Sequence, residues 1–142
     1  MILIDTNLWL YAALQESPQH QRAKAWLETT FNGDEAIGLP WSVALAVLRI
    51  STHSRLMLQP LSPNQAMDLV DGWLQHPLVD ILQPGPSHWR VLRLLLAEAG
   101  TAGNLTSDAH LAALAIEHNC TLYSADSDFR RFAGLRCRNP LA

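Results

Sequence analysis

"MILIDTNLWL", residues 1–10, decides the fold. Ile2, Leu3 and Ile4 run without interruption into Asp5, and Thr6 and Asn7 follow before the apolar pattern resumes. An apolar run this short, closed by a turn-forming residue, reads as a β-strand buried on both faces. Strands buried on both faces belong to parallel sheets covered by helices. Asp5 then stands at the C-terminal tip of such a strand, where open α/β sheets place their sites. Asp is also an ordinary turn residue at that place. The rest of the chain decides between the two.

Strand and helix patterns alternate downstream. A short helix through Trp9, Leu10 and Ala13 is expected after the first strand. "ESPQH" restarts the chain, with Ser17 as a helix cap and Pro18 in the first helical position. Ala23, Trp26, Leu27 and Thr30 continue it at helical spacing. "AIGLP" is a second strand, and "WSVALAVLRIST" is a helix with a broad apolar face. Ser62 and Pro63 repeat the Ser–Pro start, and Ala66, Leu69, Val70 and Trp73 make one face. "LVDIL" is a third strand. "PGPS" introduces a helix through Trp89, Leu92, Leu95 and Leu96 that ends at Gly100. After the loop "TAGNLT", "SDAHLAALAIEH" is the last helix, with Asn119 at its end. "TLYSA" is a fourth strand and "LRCR" a fifth. Strands alternating with helices imply an α/β fold, a parallel sheet of four or five strands covered on both faces, in a single domain spanning residues 1–142.

Composition narrows the function. Hydrophobic residues make up 49% of the chain and charged residues 16%, the balance of a globular protein. No apolar run reaches the ~18 residues of a membrane span, and the N-terminus lacks the basic start and cleavage site of an export signal. The expectation is a soluble cytoplasmic protein, with Cys120 and Cys137 as free thiols. A net charge of −3 argues against a bulk electrostatic grip on nucleic acid. It leaves room for a local basic surface, and Arg130, Arg131, Arg136 and Arg138 crowd into "FRRFAGLRCR".

Three places concentrate acid. Asp5 ends the first strand, Asp108 opens the last helix, and Asp126 and Asp128 follow the fourth strand in "YSADSDF". Each has an ordinary reading alone, as a turn residue or as an acid at a helix N-terminus. If the first and fourth strands are neighbours, however, Asp5 and Asp126 share one crevice, and Asp108 projects into it. Like charges at that spacing repel unless a cation neutralises them. All-oxygen ligands suit Mg²⁺ or Mn²⁺ rather than zinc, and the histidines and cysteines show no zinc-site spacing. Asp5, Asp108, Asp126 and Asp128 are the candidate metal ligands, and Asp5, Asp108 and Asp126 the candidate catalytic groups. Such a cluster suits in-line phosphodiester hydrolysis. Thr6, Asn7 and Ser124 are short polar groups able to orient the carboxylates. Arg130 and Arg131 are candidates for holding backbone phosphates of such a substrate beside them.

"MILIDTNLWLYA", "NLTSDAHLAALAIEHNCTLYSADSDF" and "FAGLRCRNP" together resemble a PIN domain, and within that family the VapC-type toxins of a branch well represented in mycobacteria. The resemblance runs over nearly the whole chain. It implies an α/β/α sandwich around a parallel sheet and Mg²⁺- or Mn²⁺-dependent endoribonuclease activity against RNA needed for translation. It also implies inhibition by a cognate VapB-type antitoxin, and frequent homodimerisation. Asp5, Asp108 and Asp126 match three acidic positions of the family motif, Asp128 matches a second acid of the last block, and Asn7 matches the polar residue after the first Asp-Thr. The helix "WSVALAVLRI" departs from the pattern: the family's usual Glu is replaced by Val47, and no nearby acid takes its place.

Two rival readings follow. A PIN-fold RNA- or protein-binding module would have lost its activity with the helix Glu. A phosphotransferase with a strand-end Asp nucleophile would want a second Asp at position 7 and a partner Lys. Position 7 is Asn, and the only lysine is Lys24, within a helical segment.

Overall fold

The first strand, β1 (Ile2–Ile4), lies at the centre of a five-stranded sheet in the computed structural model, which describes residues 1–142. β2 (Ile37–Leu39), β3 (Val79–Ile81), β4 (Thr121–Tyr123) and β5 (Cys137–Arg138) complete the sheet in the order β3-β2-β1-β4-β5. Every pairing is parallel. β1, β2 and the middle of β4 are buried, as their apolar runs require, whereas the edge strand β3 leaves Ile81 42% exposed.

Six helices cover this sheet: α1 (Thr6–Ala13), α2 (His20–Phe31), α3 (Trp41–Ser51), α4 (Pro63–Gln75), α5 (His88–Ala99) and α6 (Thr106–Glu117). The chain steps outward from β1 to β2 to β3 and then jumps back across β1 to β4. Right-handed crossovers place the helices of the outward run on one face and those of the return on the other. The packing agrees, because α1 meets α2 and α3, α3 meets α4, and α5 pairs with α6. The reversal between β1 and β4 is a topological switch point, where the strand tips open a crevice.

Local signals set most helix ends. Ser62 accepts from the Gln65 backbone N–H while the Gln65 side chain accepts from the Ser62 N–H, a reciprocal capping box with Pro63 in the first turn. Gly100 ends α5 at a φ of 71°, a conformation that favours glycine. Ser17, expected to cap α2, does not. Its carbonyl accepts from His20 N–H to close a turn first, and α2 starts at His20 with no side-chain cap.

α1 is fixed most firmly. Trp9 is fully buried, its indole N–H donates to the Ile4 carbonyl at 3.1 Å, and its ring lies 4.5 Å from Trp73. A buried aromatic of this size contributes about 3 kcal/mol or more. Of the five tryptophans only Trp9 and Trp73 are core residues, whereas Trp41 and Trp89 are 49% and 65% exposed. Cys120 and Cys137 are free thiols, and no helix is long and apolar enough to cross a membrane.

Candidate active site

β1 and β4 pair in register, Ile2 with Thr121 and Ile4 with Tyr123, so the residues that follow them emerge side by side. Asp5 N–H still donates to the Tyr123 carbonyl at 2.9 Å, as if the ladder continued one step. The Asp5 side chain caps α1 and also reaches across to the end of β4. One carboxylate oxygen accepts from Thr6 N–H at 2.8 Å as α1 begins, and the other accepts from the Ser124 hydroxyl at 2.7 Å. Ser124 is buried, and its hydroxyl oxygen also accepts from Asp126 N–H at 2.9 Å. A single hydroxyl therefore ties the tip of β1 to the turn after β4. Asp126 continues the chain of contacts, accepting from Asp128 N–H at 2.9 Å and capping a short 3₁₀ segment, Ser127–Arg131.

Asp108 arrives from a separate element, in the first turn of α6. Its carboxylate and those of Asp126 and Asp128 offer oxygens that all lie within 4.8 Å of one another. These three make the open face of the site. Asp5 stands behind them with both oxygens engaged, and it is not one of that group. The three-carboxylate set comes from two chain segments, the start of α6 and the turn after β4, and the sequence pattern points to all of its members. Asn7 lies beside Asp5 in the crevice, and its side-chain oxygen is buried with no hydrogen-bond partner in the chain.

Electrostatics report the crowding. Burial, followed by the charges of Asp5, Asp126 and Asp128, pushes Asp108 up to about 6. Burial also holds Asp5 above the usual carboxylate range, and the Asp126 charge adds to it, while the hydrogen bonds from Ser124 and Thr6 pull the other way. A set of hard carboxylate oxygens that repel one another, beside an orphaned amide oxygen, fits a hard divalent cation such as Mg²⁺.

A cavity of about 740 Å³ runs from Asp5 and Asp108 between α1, α3, α5 and α6. Leu10, Val43, Ala46, Ile50 and Leu92 give it an apolar wall, and Arg49 and His110 are the basic residues among its lining. Val47 is fully buried in the core and does not line this cavity, whereas Val43, Ala46 and Ile50 on the same helix do. α3 therefore carries no carboxylate to the site. His110 lines the cavity and shares a 2.9 Å hydrogen bond with His88, so it is a wall residue and not a free surface group. Burial, then the His88 ring beside it, lowers its basicity. Arg49 and His110 carry no motif of their own. Their signal is helical spacing, since Thr106 and His110 fall one turn apart on α6 and Ser42, Ala46 and Arg49 follow one side of α3.

Arg130 and Arg131 border two different cavities. Phe129 is buried and anchors the 3₁₀ segment. Arg130 then lines a cavity with Asp126, whereas Arg131 lines another with Asp108 and Asp128.

Comparison with known proteins agrees with this geometry. Residues 2–135 match the PIN domain family. Ribonuclease VapC33 of Mycobacterium tuberculosis is 44% identical over 141 residues, covering 99% of this chain and 99% of that protein. Ribonuclease VapC37 of the same organism is 38% identical over 142 residues, covering 100% and 99%. Among solved structures, VapBC2 from Rickettsia felis bound to a promoter DNA fragment aligns with a TM-score of 0.71 at 21% identity, covering 98% of each chain. Mycobacterium tuberculosis VapC20, a Sarcin-Ricin loop cleaving toxin, aligns at 0.68 with 15% identity, covering 96% of this chain and 99% of that one. With a family match over most of its length and full-length relatives above 30% identity, the chain belongs to the PIN domain family, among the VapC ribonucleases.

Proposed function

We propose that this VapC ribonuclease is the toxin of a toxin–antitoxin pair and cleaves RNA internally, by in-line hydrolysis of a phosphodiester at the acidic crevice. The observation that carries this is the convergence of Asp108, Asp126 and Asp128 within 4.8 Å at the β1/β4 switch point. Mg²⁺, with Mn²⁺ able to substitute, is the cation the donor set fits. When bound it would neutralise phosphate charge and acidify the attacking water. Asp108, Asp126 and Asp128 would hold it, with Asp5 completing the set from behind. Thr6 and Ser124 would fix the orientation of Asp5, and the free Asn7 oxygen would accept a hydrogen bond from a water or from a ribose hydroxyl.

The missing Glu at Val47 leaves fewer negative charges at the site. Mg²⁺ tolerates this because it keeps several waters and needs only one or two carboxylates. The site would then hold one cation firmly, and any second would be recruited with the substrate phosphate. The partner reading rests on the larger cavity. Its apolar α3 wall suits one face of an antitoxin helix, and the acidic end suits an Arg or Lys from that segment. A VapB-type antitoxin seated there would block Asp5 and Asp108. Trp41 and Leu45, exposed one turn apart on α3, are the apolar groups a second copy of the chain would cover.

The experiment is RNA cleavage by purified protein with Mg²⁺, with Mn²⁺ and with chelator, beside Asp126→Ala. Cleavage that needs the cation and disappears in the variant is the expected result. Cleavage that survives both chelation and Asp126→Ala would overturn the proposal.

A further inference from the structure

The four arginines of the last block have separate fates. Arg136 is committed to the fold, donating to the Asn119 carbonyl at 2.9 Å and to its side-chain oxygen at 3.0 Å. Arg131 shares a cavity wall with Asp108 and Asp128. Arg130 and Arg138 line one polar cavity of about 350 Å³ together with Ser127 and Asn139. Both side chains are exposed, and neither is in an ion pair, since the two ion pairs of the chain are Met1 with Glu35 and Lys24 with Glu28.

The position of this cavity gives it meaning. Arg138 is in β5, the strand beyond β4, so the cavity lies on the β5 side of the acidic cluster. It shares no residue with the larger apolar cavity, which opens toward α3. Asp126 belongs both to the acidic cluster and to the wall of the polar cavity. An anion on the two guanidinium groups is thus a neighbour of whatever occupies the cluster.

We infer that Arg130 and Arg138 form a backbone clamp that holds an RNA phosphate next to the scissile one, on the β5 side of the site. This rests on the reading that the acidic cluster acts on RNA. Free guanidinium groups match phosphate oxygens in a forked geometry, and Ser127 and Asn139 add neutral donors. The clamp touches backbone and no base, so it sets the register of the strand without reading sequence. It also solves a charge problem. An acidic crevice repels a polyanion, and two unpaired cations at its rim offset that repulsion where the strand enters. Because the clamp lies apart from the α3 cavity, an antitoxin seated in the latter would leave it open.

The test measures binding separately from chemistry. A labelled single-stranded RNA of about 12 nucleotides is titrated with protein in chelator, so that no cleavage intervenes, at several salt concentrations. Arg130→Ala with Arg138→Ala should weaken binding about tenfold at low salt and flatten the salt dependence by about 0.7 for each phosphate that is no longer neutralised. Lys24→Ala removes a positive charge elsewhere and should leave both unchanged. The Arg130→Lys and Arg138→Lys pair should recover part of the affinity. With Mg²⁺ restored, the alanine pair should raise KM and leave kcat near that of the wild type. An alanine pair with the affinity and salt slope of the wild type would overturn the clamp. A wild-type protein that binds RNA through these arginines but cleaves nothing with Mg²⁺ or Mn²⁺ would overturn the proposed cleavage at the acidic cluster and leave the two arginines as an RNA-backbone site with no scissile neighbour.

Discussion

α6 carries an acid near each end, and the two behave in opposite ways. Asp108 sits in the first turn, where the helix dipole favours a negative charge, yet it is pushed up to about 6. Glu117 is the last helical residue, where the dipole opposes a negative charge, yet it is held below the usual carboxylate range. The difference lies in partners. Glu117 accepts from Gly85 N–H at 2.8 Å and from Ser87 N–H at 2.9 Å, and so caps the start of α5 where Ser87 itself does not. Asp108 has burial and three neighbouring carboxylates instead. Local groups outweigh the macrodipole at both ends. One end of α6 is tied into the fold by hydrogen bonds, and the other faces three further carboxylates.

Substitutions at the two ends separate these roles. Asp108→Ala should cost cleavage at least about 100-fold, since outer groups around metal sites already cost 10–100-fold. It should not lower the melting temperature in chelator, because it relieves repulsion. Glu117→Ala should do the reverse. It loses two charge-assisted hydrogen bonds, a destabilisation of about 2 kcal/mol in urea melts, with Mg²⁺-dependent cleavage retained. A Glu117→Ala protein as inactive as Asp108→Ala would break the contrast.

Val47→Glu extends the comparison to α3. A carboxylate starting from this buried position should cost about 3 kcal/mol or more in chelator. Val47 itself does not line the cavity, but its neighbours at 43, 46 and 50 do, so a recovery of part of that loss with Mn²⁺ would place the longer side chain in the crevice. Melts of variant and wild type with and without Mn²⁺ check this. An equal loss in both conditions would show that the side chain turns away from the crevice.

The smallest effect is in pH. A carboxyl raised from 3.8 to about 6 binds its proton more tightly in the folded state. Its contribution to stability is complete below about 4 and is lost as pH rises through about 6. In chelator the wild type should therefore lose stability from this group as pH rises from about 4 to about 7. Asp108→Asn should raise the melting temperature at neutral pH by about 2 °C, screening by solvent on the open side limiting the gain. Saturating Mn²⁺ should remove the slope in the wild type.

The strands and helices are legible because each carries its own periodicity. Ile2–Ile4 reads as buried on both faces, and Ser62 with Gln65 spells out its cap locally. The acids are legible through their places in that pattern, at strand tips and at a helix start. What sequence does not reveal depends on contacts across long separations. Glu117 serves Gly85 from 32 residues away, and a Cβ added at Gly85 would lie 2.5 Å from it. Glu16 reads as an ordinary turn residue, yet it accepts from Leu58 and Gln59 N–H at 3.0 Å and pins that loop. The division of Arg130 from Arg131 follows from burying Phe129, a packing fact with no local signal. Ser17 departs from its expected role because a cap signal does not say whether a turn will intervene.

The Ser124 hydroxyl bridges Asp5, near the start of the chain, to the Asp126 backbone, although Ser124 lies 119 residues beyond Asp5. Its position depends on β4 pairing with β1 in the observed register, and a slip of one residue would turn Ser124 to the other face of the sheet. During synthesis Asp5 is made first, Asp108 much later and Asp126 later still. A ribosome building this nuclease is therefore beside a chain that holds no assembled site for most of its translation. The same separation that makes the crevice depend on the finished sheet postpones its assembly until the turn after β4 has been delivered.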